Sequence, residues 1–544
     1  MRICLSGSAN RFERAERERT LFAQRQAYEW VHAPGMPPHC KDLPAGEESS
    51  AAQNRWMVMD MVESVADYAL ATMSRLFRNC STVRSFRLYY PLRSLPEVAG
   101  RWIQDEEFAR QRLDGINPVL LKLVTEMPAN FPLSDAQVQG VIPPDTSLAA
   151  LLAARRLFLL DYEILHGLEP DYGRFCVAPM AYFWLDGNGR LMPLAIQLGQ
   201  SPEEAVTVFT PKDDHWTWLL ARAFVQCADG AFHEIVAHLG GTHLVMEAFW
   251  VATCRTLPAQ HPLHVLLKPH FDGTLAINHA ARTKLLAPNG PIDQAIAYGS
   301  VGCLTLLGLA YERWSFEDTD PVAQMRARGV LDKDVLPNYH YRDDALALFA
   351  VIQDFVRDVL RVYYPDDATV QQDGELQAWA AELSSPQGAA VKGLPYGAAG
   401  IETFEQLHRL VAQVIFNCSV EHAAVNNGQY AQFGWIPNTP GALCLPPPKD
   451  HGPRNEANFV YALPDGLGVA AQLALVHLLS ERTEQPLGTY SEDFFAGVAP
   501  VRDALDRFRG RLDDIGRAIL ERNRQLRVPY RFLQPWLVAR SISI

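Results

Sequence analysis

Apolar residues recur at intervals of three and four along much of this chain, the spacing that makes one face of an α-helix apolar. TSLAALLAARRLFLLDYEIL, YRDDALALFAVIQDFVRDVLRVYY, GVAAQLALVHLLSE and VRDALDRFRGRLDDIGRAILERNRQL carry this pattern. So do two longer stretches, HWTWLLARAFVQCADGAFHEIVAHLGGTHLVMEAFWVAT and IETFEQLHRLVAQVIFNCSVEHAAVNNGQY. Together they predict a mainly helical protein. One stretch departs from the rule: CVAPMAYFWLDGNGRLMPLAIQLG reads as two strands around a DGNG turn, a hairpin signal. No internal repeat is evident.

Residues 1–55 read as an extension, with a charged helix in RFERAERERTLFAQRQAYEW and a breaker-rich linker in APGMPPHCKDLPAGEESS. Residues 56–544 then read as one large helical domain with a small β element. Its first segment, WMVMDMVESVADYALATMSRLF, suits a core helix first, with a cover over a substrate entrance or a contact with a lipid surface as the alternative.

Composition narrows the function. With 544 residues, 48% hydrophobic and 20% charged, the chain has ample apolar mass for a large core. Its net charge is −13 and it has no Lys/Arg run, which argues against a nucleic-acid partner. The nine cysteines are scattered, odd in number and free of CxxC pairs, so they read as reduced thiols and favour a cytoplasmic location. The first residues lack a signal-peptide core, and no apolar run approaches the ~20 residues of a spanning helix. Any membrane contact is therefore expected to be peripheral.

The candidate chemistry lies in histidines. HEIVAHLGGTH sets His233, His238 and His243 five residues apart. On an α-helix that spacing separates neighbours by ~140°, too far to share one ion. The zinc-protease pattern HExxH needs four, so a protease is excluded. In EHAAVNNGQY, by contrast, His422 and Asn426 are four apart and share a helical face. Alone, that pair fits an ion site or a buried, mutually satisfied His and Asn.

Taken together, the histidines carry a family resemblance. His233, His238, His243, His261 and His270 follow H-x4-H-x4-H-x17-H-x8-H, a spacing that resembles the lipoxygenase signature without gaps. RRLFLLDYEIL, MPLAIQLG, LPNYHYRDDALALF, EHAAVNNGQYAQFGWIPNTP and the closing SISI are also similar to that family. The likeness covers roughly residues 85–544.

The resemblance implies a lipoxygenase-type helical fold whose metal helix holds a π-turn. At about 4.4 residues per turn, such a turn brings His238 and His243 onto one face. It implies one non-haem iron, with manganese less favoured, held by His238, His243, His422, Asn426 and the α-carboxylate of Ile544. His233, His261 and His270 are then buried structural histidines. Glu234 and Gln429 match a hydrogen-bond link between metal helices and substrate cavity. The implied reaction adds O₂, the co-substrate, to a polyunsaturated fatty acid of the linoleic, linolenic or arachidonic type, giving a conjugated hydroperoxide. Ala281, in INHAAR, matches a position where alanine goes with S products and glycine with R. Leu285 and Ile292 match apolar pocket positions.

Two departures matter. QYAQFGWIPNTPGAL has Thr439 but none of the arginines that meet the fatty-acid carboxylate in some members. This leaves the direction of the bound chain open. The length also resembles the compact bacterial type, without an N-terminal β-barrel. A hydroperoxide isomerase and a catalytically silent lipid-binding member are the alternatives.

Overall fold

The computed structural model describes residues 2–48, 82–90, 93–203, 207–480 and 485–543. The segment 56–77 and Ile544, both singled out from sequence, lie outside them.

Helix α1 (Arg11–Ala27) opens with a capping box: Asn10 accepts from the Glu13 amide, and Glu13 accepts from the Asn10 amide. The helix is tied to the rest of the chain by Arg17, 4% exposed and bidentate to Glu375 at 2.6 and 2.9 Å. A ribbon pairing Trp30–Val31 with His39–Cys40 follows. Five antiparallel strands then form one sheet in sequence order: β1 (Lys122–Leu123), β2 (Leu157–Asp161), β3 (Met180–Leu185), β4 (Leu191–Gln197) and β5 (Val208–Phe209). β3 and β4 are the predicted hairpin. Its turn is closed by the Asp186 amide on the Arg190 carbonyl, with Gly189 at a φ of 71°.

The sheet is larger than the sequence pattern predicts. β2, LFLLD, lies inside a stretch read as helical, and the helix Leu148–Ala153 stops short of it. Arg155, at a φ of 56°, turns the chain out of the helix. β2 is buried on both faces: Phe158 and Leu160 join the main core, Leu157 and Leu159 a smaller cluster with Phe131 and Leu151. A strand covered on both sides has no polar alternation, so its apolar run is indistinguishable from a buried helix.

Beyond the sheet the chain is helical. Helix α2 (His215–Phe232) starts at Asp214, whose carboxylate accepts from the Trp216 and Thr217 amides. It continues without a break through a π-helix (His233–Leu244) into α3 (Val245–Thr256). By length and composition alone this 42-residue run would pass for a membrane span. Its most apolar window is 83% buried within the protein, as befits a core helix. Helices α4 (Thr274–Ala280), α5 (Gly299–Arg313) and α8 (His422–Asn426) pack against it, and α6 (His340–Arg361) packs against α7 (Phe404–Phe416) and α9 (Ala499–Asn523). A capping box between Thr403 and Gln406 starts α7, and a π-turn, Asn417–Glu421, joins it to α8.

Candidate metal centre

The π-helix answers the spacing problem. It spans twelve residues, His233–Leu244, wider than the His238–His243 turn expected from sequence. Glycines make room for it. A Cβ on Gly240 would lie 2.9 Å from the Ile235 carbonyl oxygen and 3.1 Å from Leu307 Cδ1. On Gly241 it would lie 3.1 Å from the Val236 carbonyl oxygen. The Thr242 hydroxyl donates to the His238 carbonyl at 2.6 Å, satisfying an acceptor in the widened turn.

Within this geometry His238 and His243 meet His422 from α8. Their ligating nitrogens all lie within 4.8 Å of one another, and each side chain is 2–3% exposed. His243 Nε2 is 3.2 Å from His238 Nε2 and 3.1 Å from His422 Nε2. Two nitrogens each ~2.1 Å from one transition-metal ion, at a right angle, are ~3.0 Å apart. The spacing therefore fits a shared cation. Burial, then the neighbouring His243 and His422, holds His238 well below the usual histidine pKa, in the neutral form that binds metal.

Asn278 fixes one ring. Its Oδ1 lies 3.0 Å from His243 Nδ1, and its Nδ2 donates to the His243 backbone carbonyl at 2.8 Å. An amide oxygen can only accept, so the proton sits on Nδ1 and the Nε2 lone pair faces the cluster. His233 Nε2 donates to the Val425 carbonyl at 2.5 Å and ties the π-helix to α8.

Asn426 lies one turn beyond His422 and is 3% exposed. Its Oδ1 accepts from Gln429 Nε2 at 3.0 Å, and the same amide donates to the Leu479 carbonyl at 2.9 Å. The Glu234 carboxylate is 3.6 Å from His233 Nδ1. Glu234 Oε1 and Gln429 Oε1 are both buried without a hydrogen-bond partner among the described residues.

The last described residues are anchored near the same elements. His270 Nδ1 donates to the Arg540 carbonyl at 2.8 Å, and the Thr274 hydroxyl donates to the Ile542 carbonyl at 2.8 Å. Thr274 begins the helix that carries Asn278. His261 accepts from the Leu263 amide at 3.2 Å and faces Asp373 at 3.0 Å. His233, His261 and His270 thus each hold two segments together or cap one.

Ala281 and Leu285 bound a second π-turn directly after α4, 2% and 8% exposed. Ile292 is buried in the short helix that follows. The sequence reading did not mark Asn278, Thr242 or the Leu479 carbonyl. Asn278 stands three residues before Ala281 in a quoted stretch, but no spacing rule flagged it.

Comparison with known proteins agrees with this geometry. The lipoxygenase family profile matches residues 48–534. The chain is 36% identical to the human polyunsaturated fatty acid lipoxygenase ALOX15B, over 97% of this chain and 80% of the relative. It is 38% identical to the human hydroperoxide isomerase ALOXE3, over 82% of this chain but only 63% of that relative. Among solved structures, a calcium-dependent 11R-lipoxygenase superposes with a TM-score of 0.92 at 30% identity, covering all of this chain and 83% of that one. A lipoxygenase in complex with arachidonate superposes with a TM-score of 0.95 at 28% identity, covering all of this chain and 84% of that one.

Proposed function

The chain belongs to the lipoxygenase family, and from that premise we propose that it is an iron dioxygenase of polyunsaturated fatty acids. The observation that carries the reading is the convergence of three buried imidazoles from two π-distorted helices at 3.1–3.2 Å. His238, His243 and His422 would hold the iron, with the Asn426 amide oxygen as a weaker neutral donor. The α-carboxylate of Ile544, outside the described residues, is the proposed anionic donor. The anchoring of Arg540 and Ile542 supports this.

Bound there, iron would supply the one-electron oxidation that removes a bis-allylic hydrogen from a cis,cis-1,4-diene. The chain's own residues do the rest. Asn278 keeps the His243 proton on Nδ1, and Gln429 holds the Asn426 amide in place. Burial keeps water from the carbon radical. O₂ adds to the pentadienyl radical, and one electron and one proton complete the hydroperoxide. Ala281, with Leu285 and Ile292 beyond it, is proposed to line the diene and direct O₂ to give the S product.

Iron-analysed protein incubated with linoleic and arachidonic acids should form conjugated dienes, followed by absorbance, with S product on chiral chromatography. Ala281→Gly should shift the product toward R. Background metal content with no diene formation would overturn the reading. A hydroperoxide isomerase is the second reading, favoured by the likeness to ALOXE3. It would consume fatty-acid hydroperoxides without net O₂ uptake.

A further inference from the structure

A cavity of about 500 Å³ is lined by residues of both helices that carry the donor cluster, but by none of the donors. That volume is within the range of small-molecule sites, ~300–1,000 Å³. Its apolar wall includes Val119, Leu120, Phe232, Val236, Ala237 and Trp314. Most of these are half-buried, so the wall is open to an apolar guest.

At the inner end stands Asn417, 2% exposed, the first residue of the π-turn before His422. Its Nδ2 donates to the Gly241 carbonyl at 3.3 Å, which fixes the amide's orientation. Its Oδ1 is buried and has no partner among the described residues. A buried acceptor left unmade costs ~1–3 kcal/mol, so the site is set up for a guest that donates.

The charges select the guest further. Lys122 pairs with Asp161 at 3.4 Å and Arg313 with Glu163 at 2.6 Å, so both cations at the rim are already matched. Of the other two acidic side chains, Glu421 is taken up by the Tyr341 hydroxyl at 2.7 Å, which leaves Asp318, exposed at the rim without an ion pair among the described residues. A carboxylate head, as on a fatty acid, meets the Asp318 carboxylate here and no unpaired cation among the described residues.

We propose that this cavity is a second binding site, separate from the metal centre, for an amphiphile with an apolar chain and a cationic, hydrogen-bond-donating head such as a primary ammonium. The head donates to Asn417 Oδ1 and is drawn by the Asp318 carboxylate. The chain lies along Val236 and Trp314. Occupancy braces the segment between Gly241 and Asn417, which belong to the two donor-bearing helices.

Isothermal titration of the iron-loaded full chain with decylamine, decan-1-ol and decanoate, all below their micelle concentrations, tests the site. Ala310, on α5, lines the cavity, so Ala310→Trp fills it. Decylamine should bind one per chain, at least tenfold tighter than decanoate, with decan-1-ol between them. Ala310→Trp should remove the decylamine isotherm and leave any decanoate binding elsewhere unchanged. Asp318→Lys should erase the preference for amine over carboxylate. Decylamine binding that survives Ala310→Trp, or decanoate binding lost with it to the same extent, would overturn the proposal. So would a wild-type chain that takes decanoate as tightly as decylamine, a comparison that stands even if a variant fails to fold.

Discussion

Replacing Asn278 by alanine tests how the metal centre is held. Asn278 is fully buried and makes two hydrogen bonds to one residue, at 3.0 Å to the His243 ring and 2.8 Å to its carbonyl. Truncation strands a ring N–H and a carbonyl in a site without room for bulk water. Each stranded group costs ~1–3 kcal/mol, so ~2–6 kcal/mol of local stability is at stake. The ring is also freed to rotate or to change tautomer. Loss of such a supporting contact typically weakens metal binding by ~10–100-fold, equal to ~1.4–2.7 kcal/mol. Iron content after purification and iron affinity by chelator competition are the assays, with Tm measured on the same samples. Asn278→Asp keeps the acceptor for Nδ1 and loses only the donor to the carbonyl, so it should retain more iron than the alanine variant. If Asn278→Ala lowers Tm while binding iron within twofold of the parent, the residue is a packing element and the orienting role is wrong.

Three further outcomes are expected. Gly240→Ala should cost ~1–3 kcal/mol by overpacking, because its Cβ would lie 2.9 Å from a backbone carbonyl that cannot give way. Tm and iron content should both fall, and an unchanged Tm would show that the widened turn does not need glycine there. Asp114 is 3% exposed, and burial pushes its carboxyl up to about 7, with Arg110 opposing the rise and Asp344 adding to it. The unfolded chain loses this proton near pH ~4, so between ~4 and ~7 only the folded state keeps it and stability falls as pH rises. Asp114→Asn removes that loss, at most ~4 kcal/mol for a ~3-unit shift, so its Tm advantage should grow from pH 5 to pH 8. A constant Tm difference across that range would refute the assignment. Adding a residue after Ile544 should lower iron content if its α-carboxylate is a donor, and full iron content in the extended chain would count against that role.

What could be read from the sequence follows from what constrains it. His238, His243 and His422 stood out through the family resemblance; spacing alone argued against a shared ion for His238 and His243 on an α-helix, and the widened turn came with the resemblance. The hairpin stood out because DGNG is a turn with its own residue chemistry. LFLLD was misread because a strand buried on both faces has no alternating signal. Asn278 was invisible for another reason. Its partner is 35 residues away, and an asparagine before an alanine-rich turn carries no mark of the ring it will hold. The length of the π-helix, set by the paired glycines and the Thr242 hydroxyl, likewise emerges only from three-dimensional packing.

The two-point grip of Asn278 on His243 bears on how the proposed centre would acquire its ion. A side chain pinned at its ring and at its own backbone has little to gain by rearranging when the charge it serves comes or goes. The donors then behave as a rigid socket, and loading is governed by how fast a cation can travel inward through a tightly packed interior. Capture should be slow, nearly independent of any conformational step, and equally slow to reverse.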